Sequence, residues 1–194
     1  MVPGQRLVET ELAETFHAGR NAVREAIQLL AGRGVIDPSP NRSPRIRRFS
    51  ADETMDVLDV AEDMTAFVLK VAAKRFDMAR HDQTLNRAQI AIATAAAEDE
   101  IPQFSRARRK LYRAFLEIGG NRELQRLYPA IGMHIVHAQF PTPKLRGIRL
   151  ADYEEMIAAV RNRDSLSAEQ AGIRHVENVR AIVIEQLAGS RIDR

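Results

Sequence analysis

Arg20, Asn21 and Arg24 fall within one and a half helical turns at the start of the stretch GRNAVREAIQLL. In that stretch the apolar residues Val23, Ala26, Ile27 and Leu30 recur at helical spacing. An arginine fork fits the edge of guanine or a phosphate, and an asparagine amide fits the edge of adenine. Arg20 and Arg24 are i, i+4 and share the face opposite the one that packs through Val23, Ile27 and Leu30. The free N–H groups of a helix N-terminus add attraction for phosphate. Downstream, the proline-broken stretch DPSPNRSPR supplies Arg42 and Arg45, and Arg47 and Arg48 follow. This chemistry is that of reading duplex DNA with a helix N-terminus, while a basic loop contacts the backbone or minor groove. A competing reading is a solvated amphipathic helix beside a basic hinge.

The elements that would position these residues can be read in order. Residues 9–16 form a short helix with Leu12, Ala13 and Phe16 on one side, HAG at 17–19 is a turn, and residues 20–32 form a second helix. Gly32 and Gly34 end it. Val35 and Ile36 make a short extended pair, the basic loop follows, and RIRRF is a second extended segment. Helix, turn, helix, strand, basic loop, strand is the order of a winged helix-turn-helix. A Ser-x-x-Glu capping box at Ser50 and Glu53 then opens a long helix to about residue 79. Its apolar stripe is Val57, Leu58, Ala61, Met64, Val68, Val71 and Ala72. Helical periodicity continues over 81–98, 100–118, 121–139, 149–162 and 167–188, the last with a second box at Ser167 and Gln170. Breaks are expected at Gly119-Gly120, at 141–144 and at 162–164. The expected fold is mainly α: a winged helix-turn-helix over 1–49 and an antiparallel all-helical bundle over 50–194.

Charge separates the same two regions. Residues 1–50 hold eight arginines against five acids, whereas the rest carries 21 of each sign, so the net +3 lies in the first quarter. A polyanion partner is therefore expected for the first region only. At 45% hydrophobic residues the chain can bury a core, and with no cysteine it has neither disulfides nor thiolate metal sites. The opening MVPGQRLVET lacks the apolar segment of a signal peptide, and no apolar run approaches membrane-spanning length. A cytoplasmic protein is expected.

The run PGQRLVETELAETFHAGRNAVREAIQLLAGRGVI resembles the winged helix-turn-helix of the GntR family. Pro3, Gly4, Leu7, Glu9, Leu12, Ala13, Arg20, Val23, Arg24, Glu25, Ala26 and Gly34 match its pattern. The resemblance implies that Arg20 and Arg24 touch DNA. Three departures stand out. Gly19 replaces the Ser or Thr usual before Arg20, Ser43 replaces the usual wing glycine, and the chain begins where the family's second helix is about to start. The expectation is a head without the family's first helix.

The helical remainder resembles the FadR-type C-terminal domain, called FCD, through FLEIGGNRELQRLY and YEEMIAAVRNRDSLSAEQAGIRH. That resemblance implies a homodimer and a small organic-acid effector, often bound with a divalent metal held by one Asp and three His. Mapped onto this chain, the Asp position is Arg108 and the His positions are Tyr112, Tyr153 and His175. One imidazole cannot hold zinc or nickel, and a guanidinium would occupy the cation's place. No metal and no other cofactor is expected. Periodicity puts Arg108 on the stripe of Phe104, Leu111 and Phe115, with Tyr112 one turn on. Tyr153 falls with Leu150, Met156 or Ile157, and Val160, and His175 with Ala168, Ala171, Val179 and Ile182. Arg108 is expected to receive a carboxylate, with hydrogen bonds from Tyr112, Tyr153 and His175. The competing reading pairs Arg108 with an internal acid and makes the tyrosines cavity fillers.

His134 and His137 match no ligand position and read as ordinary histidines. No nucleophile elbow, P-loop, dinucleotide fingerprint or paired-carboxylate constellation suggests an enzyme. The expected function is a DNA-binding transcription regulator controlled by a small carboxylate metabolite. Its partners are expected to be a palindromic operator and a second copy of itself. The alternative is a ligand-binding and dimerisation module with an impaired DNA-binding head.

Overall fold

The computed structural model describes residues 2–38, 43–97, 101–141 and 143–192. The elements run α1 (Glu9–Thr15), α2 (Arg20–Gly32), β1 (Ile36–Asp37), β2 (Arg45–Ile46), α3 (Ala51–Arg75), α4 (Met78–Ala97) and α5 (Ile101–Gly119). They continue with α6 (Arg122–Leu127), a 3-10 turn (Tyr128–Ala130), α7 (Met133–Gln139), α8 (Pro143–Arg161) and α9 (Ser165–Ile192). The fold is mainly α, as expected. The chain divides into two compact units, Met1–Val57 with Ala130–Pro141, and Leu58–Pro129 with Thr142–Arg194.

In the first unit α2 ends where Gly34 takes φ +69, which lets the Val35 N–H reach back to the Leu30 carbonyl at 2.9 Å. β1 and β2 pair antiparallel, with Ile36 opposite Ile46 and Asp37 opposite Arg45. The N-terminal segment lies on the other side of β2. Leu7 N–H donates to the Pro44 carbonyl and Gly4 N–H to the Ile46 carbonyl, both at 2.8 Å. Leu7, Val23, Ile36 and Phe49 are buried. The stripe expected of α2 is only partly realised: Val23 is buried, Ile27 and Leu30 are half-buried, and Ala26 is exposed. Helix α1 buries no residue, and Phe16, read on one side with Leu12 and Ala13, is 63% exposed. Helix α7 buries Ile135, Val136 and His137 in this unit. Its last residue, Gln139, accepts from the Phe49 N–H at 3.0 Å and donates to the Phe49 carbonyl at 2.9 Å.

The capping box forms as read: Glu53 N–H donates to Ser50 Oγ at 3.1 Å, and Ser50 N–H to the Glu53 carboxylate at 2.9 Å. In the second unit α4 packs on α5 and α8, and α8 packs on α9. Leu85, Ile92, Leu111, Phe115, Met156 and Ile157 are among its fully enclosed side chains. At the Gly-Gly-Asn turn, Gly120 takes φ +56 to end α5. Asn121 then caps α6, its Oδ1 accepting from the N–H groups of Glu123 and Leu124. Helix α9 meets α3 at Gly172, where a Cβ would lie 3.0 Å from the Ala66 backbone. Lys70–Glu169 at 2.9 Å and Arg180 to Asp59 at 2.7 Å and Glu62 at 3.0 Å flank that contact.

Three expectations are corrected. The single helix read over 121–139 is α6, a 3-10 turn and α7. Pro129 removes a backbone donor, and Gly132 takes φ +87 to turn the chain. The break expected at 141–144 is present after α7 but ends earlier, and the helix read from 149 starts at Pro143, where a missing N–H costs nothing. The box expected at Ser167 and Gln170 gives way to Asp164, which accepts from the N–H groups of Leu166 at 3.1 Å and Ser167 at 3.0 Å. Its carboxyl is lowered by those bonds. Among the described residues no helix is long and apolar enough to cross a membrane.

Replacing a helical glycine by alanine ordinarily stabilises by about 1 kcal/mol. At Gly172 the added methyl meets backbone, so Gly172→Ala should destabilise by about 1–3 kcal/mol in urea unfolding.

Candidate functional site

The first unit holds the residues expected to read DNA. Arg20, Asn21 and Arg24 are all exposed at the start of α2. Gly19, extended at φ −67, stands at the N-cap and offers no side-chain cap, so the first N–H groups of α2 have no hydroxyl partner there. Arg24 is already engaged: its Nη2 lies 2.8 Å from the Glu9 carboxylate, with its side chain 59% exposed. That pairing lowers the Glu9 pKa, chiefly through the hydrogen bond from Arg24. Arg45 is exposed on β2 and its Nη1 donates to the Gly4 carbonyl at 3.2 Å. Arg6 bridges Arg45 across the strand pair and is exposed too, an arginine the sequence reading left out. Adjacent non-sequential strand positions carry their side chains on one face, a pairing invisible until the N-terminal segment is seen beside β2. Arg42 lies outside the described residues.

The second unit brings the other four candidates together. Arg108 and Tyr112 come from α5, Tyr153 from α8 and His175 from α9, and all are buried. The Tyr112 and Tyr153 rings meet edge to face at 6.2 Å, and Tyr153 lies 5.1 Å from the His175 ring. Tyr128, from the 3-10 turn, stacks on Tyr112 at 5.4 Å, and its hydroxyl lies 3.0 Å from Thr65 Oγ1. Arg149 and Asp152 from α8 complete the cluster. Arg149 is 7% exposed, and Asp152 Oδ2 lies 2.8 Å from His175 Nδ1 while its Oδ1 accepts from Asn178 at 3.0 Å. Tyr128, Arg149 and Asp152 were missed in the sequence. Arg149 precedes Tyr153 by four positions and Asp152 by three, so a single helix face carries all three.

The electrostatics of this interior follow from burial. Arg108 has its pKa lowered by desolvation, and only the negative charge that Tyr153, Tyr112 and Tyr128 would carry on ionising opposes that shift. No carboxylate among the described residues forms an ion pair with it. Burial likewise brings Arg149 down to about 10. Burial raises Tyr112, Tyr128 and Tyr153, so all three stay protonated. His175 is lowered by burial against the opposing pull of Asp152, which favours a neutral ring with its Nδ1 proton on Asp152. Two atoms of the cluster, Tyr153 Oη and His175 Nε2, are buried with no hydrogen-bond partner. Enclosed polar atoms without partners are uncommon in folded proteins and mark places where a bound molecule would complete them.

The donor set does not suit the divalent metal that the sequence resemblance implies. A guanidinium and two phenols stand with one imidazole, and no group of three or more His, Cys, Asp or Glu among the described residues is placed to hold an ion. His134 and His137 belong to the other unit, on α7.

Comparison with known proteins agrees with both halves. The pattern of bacterial regulatory proteins of the gntR family matches residues 1–46, and that of the FCD domain matches residues 56–178. The HTH-type transcriptional repressor NanR of Citrobacter rodentium is 28% identical over 195 residues, covering 89% of this chain and 74% of that protein. NanR of Salmonella typhimurium is also 28% identical, with 89% and 73% covered. Among solved structures, E. coli McbR/YncC matches with a TM-score of 0.82 at 16% identity, over 96% of this chain and 90% of that one. A GntR transcriptional regulator from Rhodococcus sp. RHA1 matches with a TM-score of 0.79 at 19% identity, over 95% and 89%. At those identities the structural likeness speaks for the fold. With the helix-turn-helix matched in its first unit and the FCD domain across most of the remainder, the chain belongs to the GntR family of bacterial transcription regulators, in the FadR-type branch.

Proposed function

We propose that this regulator is controlled by a small carboxylate that binds between α5, α8 and α9, with Arg108 as its receptor and no metal. The observation that carries this reading is a buried guanidinium with no described carboxylate partner, set beside two enclosed polar atoms that lack hydrogen bonds. Desolvating an unpaired cation is expensive, and a bound carboxylate would offset that cost with two parallel N–H···O bonds. The Tyr153 hydroxyl would donate to the same carboxylate, with Tyr112 adding to its polar wall. His175 Nε2, its partner nitrogen committed to Asp152, would accept from a ligand hydroxyl or donate after taking up a proton. We assign the DNA-reading role to residues 1–49 and the effector and dimerisation roles to 50–194, in a cytoplasmic homodimer on a palindromic operator. The ligand acts by binding one dimer geometry better than another.

On the DNA side, Arg20, Asn21, Arg45 and Arg42 would contact the operator, and Arg24 would do so by exchanging its ion pair with Glu9 for DNA. A gel shift on the gene's own upstream region across a salt series tests this. A steep loss of affinity with salt and a preference for a palindrome are expected. Arg20→Ala should cost about 1–3 kcal/mol on that site. Equal weak binding to any DNA would favour a sensor module whose head no longer works.

On the ligand side, Arg108→Gln should abolish binding of small carboxylates in calorimetry; unchanged affinity sinks the proposal. Tyr153→Phe should split two readouts. Removing a buried hydroxyl without a partner should leave stability in urea unchanged or raise it by ~1 kcal/mol, while carboxylate affinity falls by about 1.5–3 kcal/mol. A cavity-filling tyrosine would leave affinity unmoved.

A further inference from the structure

Arg6 and Arg45 stand directly opposite each other where the N-terminal segment runs beside β2. The backbone bonds fall on either side of them: Leu7 N–H donates to the Pro44 carbonyl at 2.8 Å, and Ile46 N–H to the Gln5 carbonyl at 2.9 Å. A cross-strand pair with no backbone bond of its own brings its two side chains closest. Like charges placed there repel. Both residues are exposed, and Arg45 Nη1 is turned along the strand to the Gly4 carbonyl at 3.2 Å. Together they wall an open groove of about 710 Å³, whose lining includes Ser43, Pro44 and Glu9. Glu9 is committed elsewhere, its two oxygens accepting from Arg24 Nε at 3.3 Å and Nη2 at 2.8 Å. Ser43 stands where the family pattern has the wing glycine, so this chain places a hydroxyl-bearing residue on the groove.

We propose that Arg6, Ser43 and Arg45 form a grip for a phosphate of the DNA backbone, set on the paired strands rather than on the recognition helix. This rests on the reading of residues 1–49 as a DNA-reading head and adds to it a site built partly by the N-terminal segment. A phosphate accepts from both guanidiniums at once and relieves the repulsion between them. The Ser43 hydroxyl donates to the same group. The groove is larger than one phosphate needs and its arginines are exposed. That suits a phosphate arriving as part of a long chain, whereas a lone ion would meet only a hydrated, screened surface. Charge points to the same partner, since the net +3 of the chain lies in residues 1–50. Gly19 leaves the start of α2 without the hydroxyl of the family pattern, and the grip supplies a backbone contact from another element. Phosphate contacts fix the register of a protein on the duplex without reading its sequence. Glu9 lines the groove and pairs with Arg24, so the gripped phosphate is held one ion pair away from the recognition helix.

The test uses the full chain in a gel shift across a salt series, on the gene's own upstream region and on a scrambled duplex. Arg6→Gln should weaken both duplexes alike, by about 10-fold at low salt. The slope of log affinity against log salt should fall by about 0.9 for each protomer bound. The ratio of the two affinities should not move, whereas Arg20→Ala should lower it. Arg6→Lys should keep the slope, because it keeps the charge. Ser43→Ala should weaken both duplexes by about 3-fold at an unchanged slope, since a neutral hydroxyl displaces no counterion. In urea unfolding Arg6→Gln should be as stable as the wild type or more so, because a like-charge pair is removed. Unchanged affinity and slope in Arg6→Gln overturns the proposal. So does a changed ratio, which would make Arg6 a reader of bases. A loss of DNA binding that tracks a loss of stability overturns it too, by making Arg6 a structural support. Saturable binding of inorganic phosphate in calorimetry, abolished by Arg6→Gln, would assign the groove to a free anion and overturn it as well. Equal and weak binding of the wild type to both duplexes overturns the DNA reading of the head itself.

Discussion

A guanidinium enclosed by helices is the constraint around which the second unit is organised. Removing such a charge from water carries a large desolvation cost that apolar neighbours cannot offset. Arg108 nevertheless sits among Phe104, Leu111 and Phe115, all buried, on the same helix. What surrounds it is correspondingly polar on one side only: three phenols, a second guanidinium and an Asp-His pair converge from α5, the 3-10 turn, α8 and α9. The helices around it are fixed by ordinary apolar packing, and their polar residues are gathered into one place. An interior built in this way is less stable than an all-apolar one of the same volume, and the deficit is the free energy that a complementary anion can recover.

The rest of the second unit supplies rigidity. Gly119 allows α5 to approach the backbone of α3, with Ala72 N 3.5 Å from a would-be Cβ, and Gly172 does the same for α9. Close backbone contacts leave few alternative packings. The turn between α5 and α6 is fixed twice over, by the left-handed Gly120 and by the Asn121 cap, and Arg75 ties it to α3 through the Gly119 carbonyl at 2.8 Å. Tyr128 follows one short helix later, so its place against Tyr112 and Thr65 depends on that turn.

Much of this was legible in the sequence wherever one residue type answers one local need. The Ser50–Glu53 box, the Gly-Asn turn and the limits of α2 are local, and the structure reproduces them. So is the inward face of Arg108, Tyr153 and His175, because helical periodicity carries through their stripes. The helix read over 121–139 failed because its apolar spacing persists across Pro129 and Gly132, and periodicity alone does not weigh a missing donor against it. Ser167 looked like a cap, but Asp164 is three residues earlier and accepts from both exposed N–H groups. Arg149 and Asp152 were passed over because charged residues near a helix start ordinarily face water. Asp152 is turned inward by tertiary bonds to His175 and Asn178 on α9. Phe16 shares one side of its segment with Leu12 and Ala13, and that side does not bury it.

Gly172 lies one turn before His175, at a point where α9 comes against the backbone of α3. Lys70–Glu169 holds the helix on one side of that point and the Arg180 pairs hold it on the other. Backbone contact forbids further approach, and the flanking ion pairs resist sliding along the axis. The motion left to α9 is a small pivot about Gly172. A push on the His175 ring would act close to this fulcrum, where a sub-ångström displacement would swing the end of α9 at Ile192 through a much larger arc.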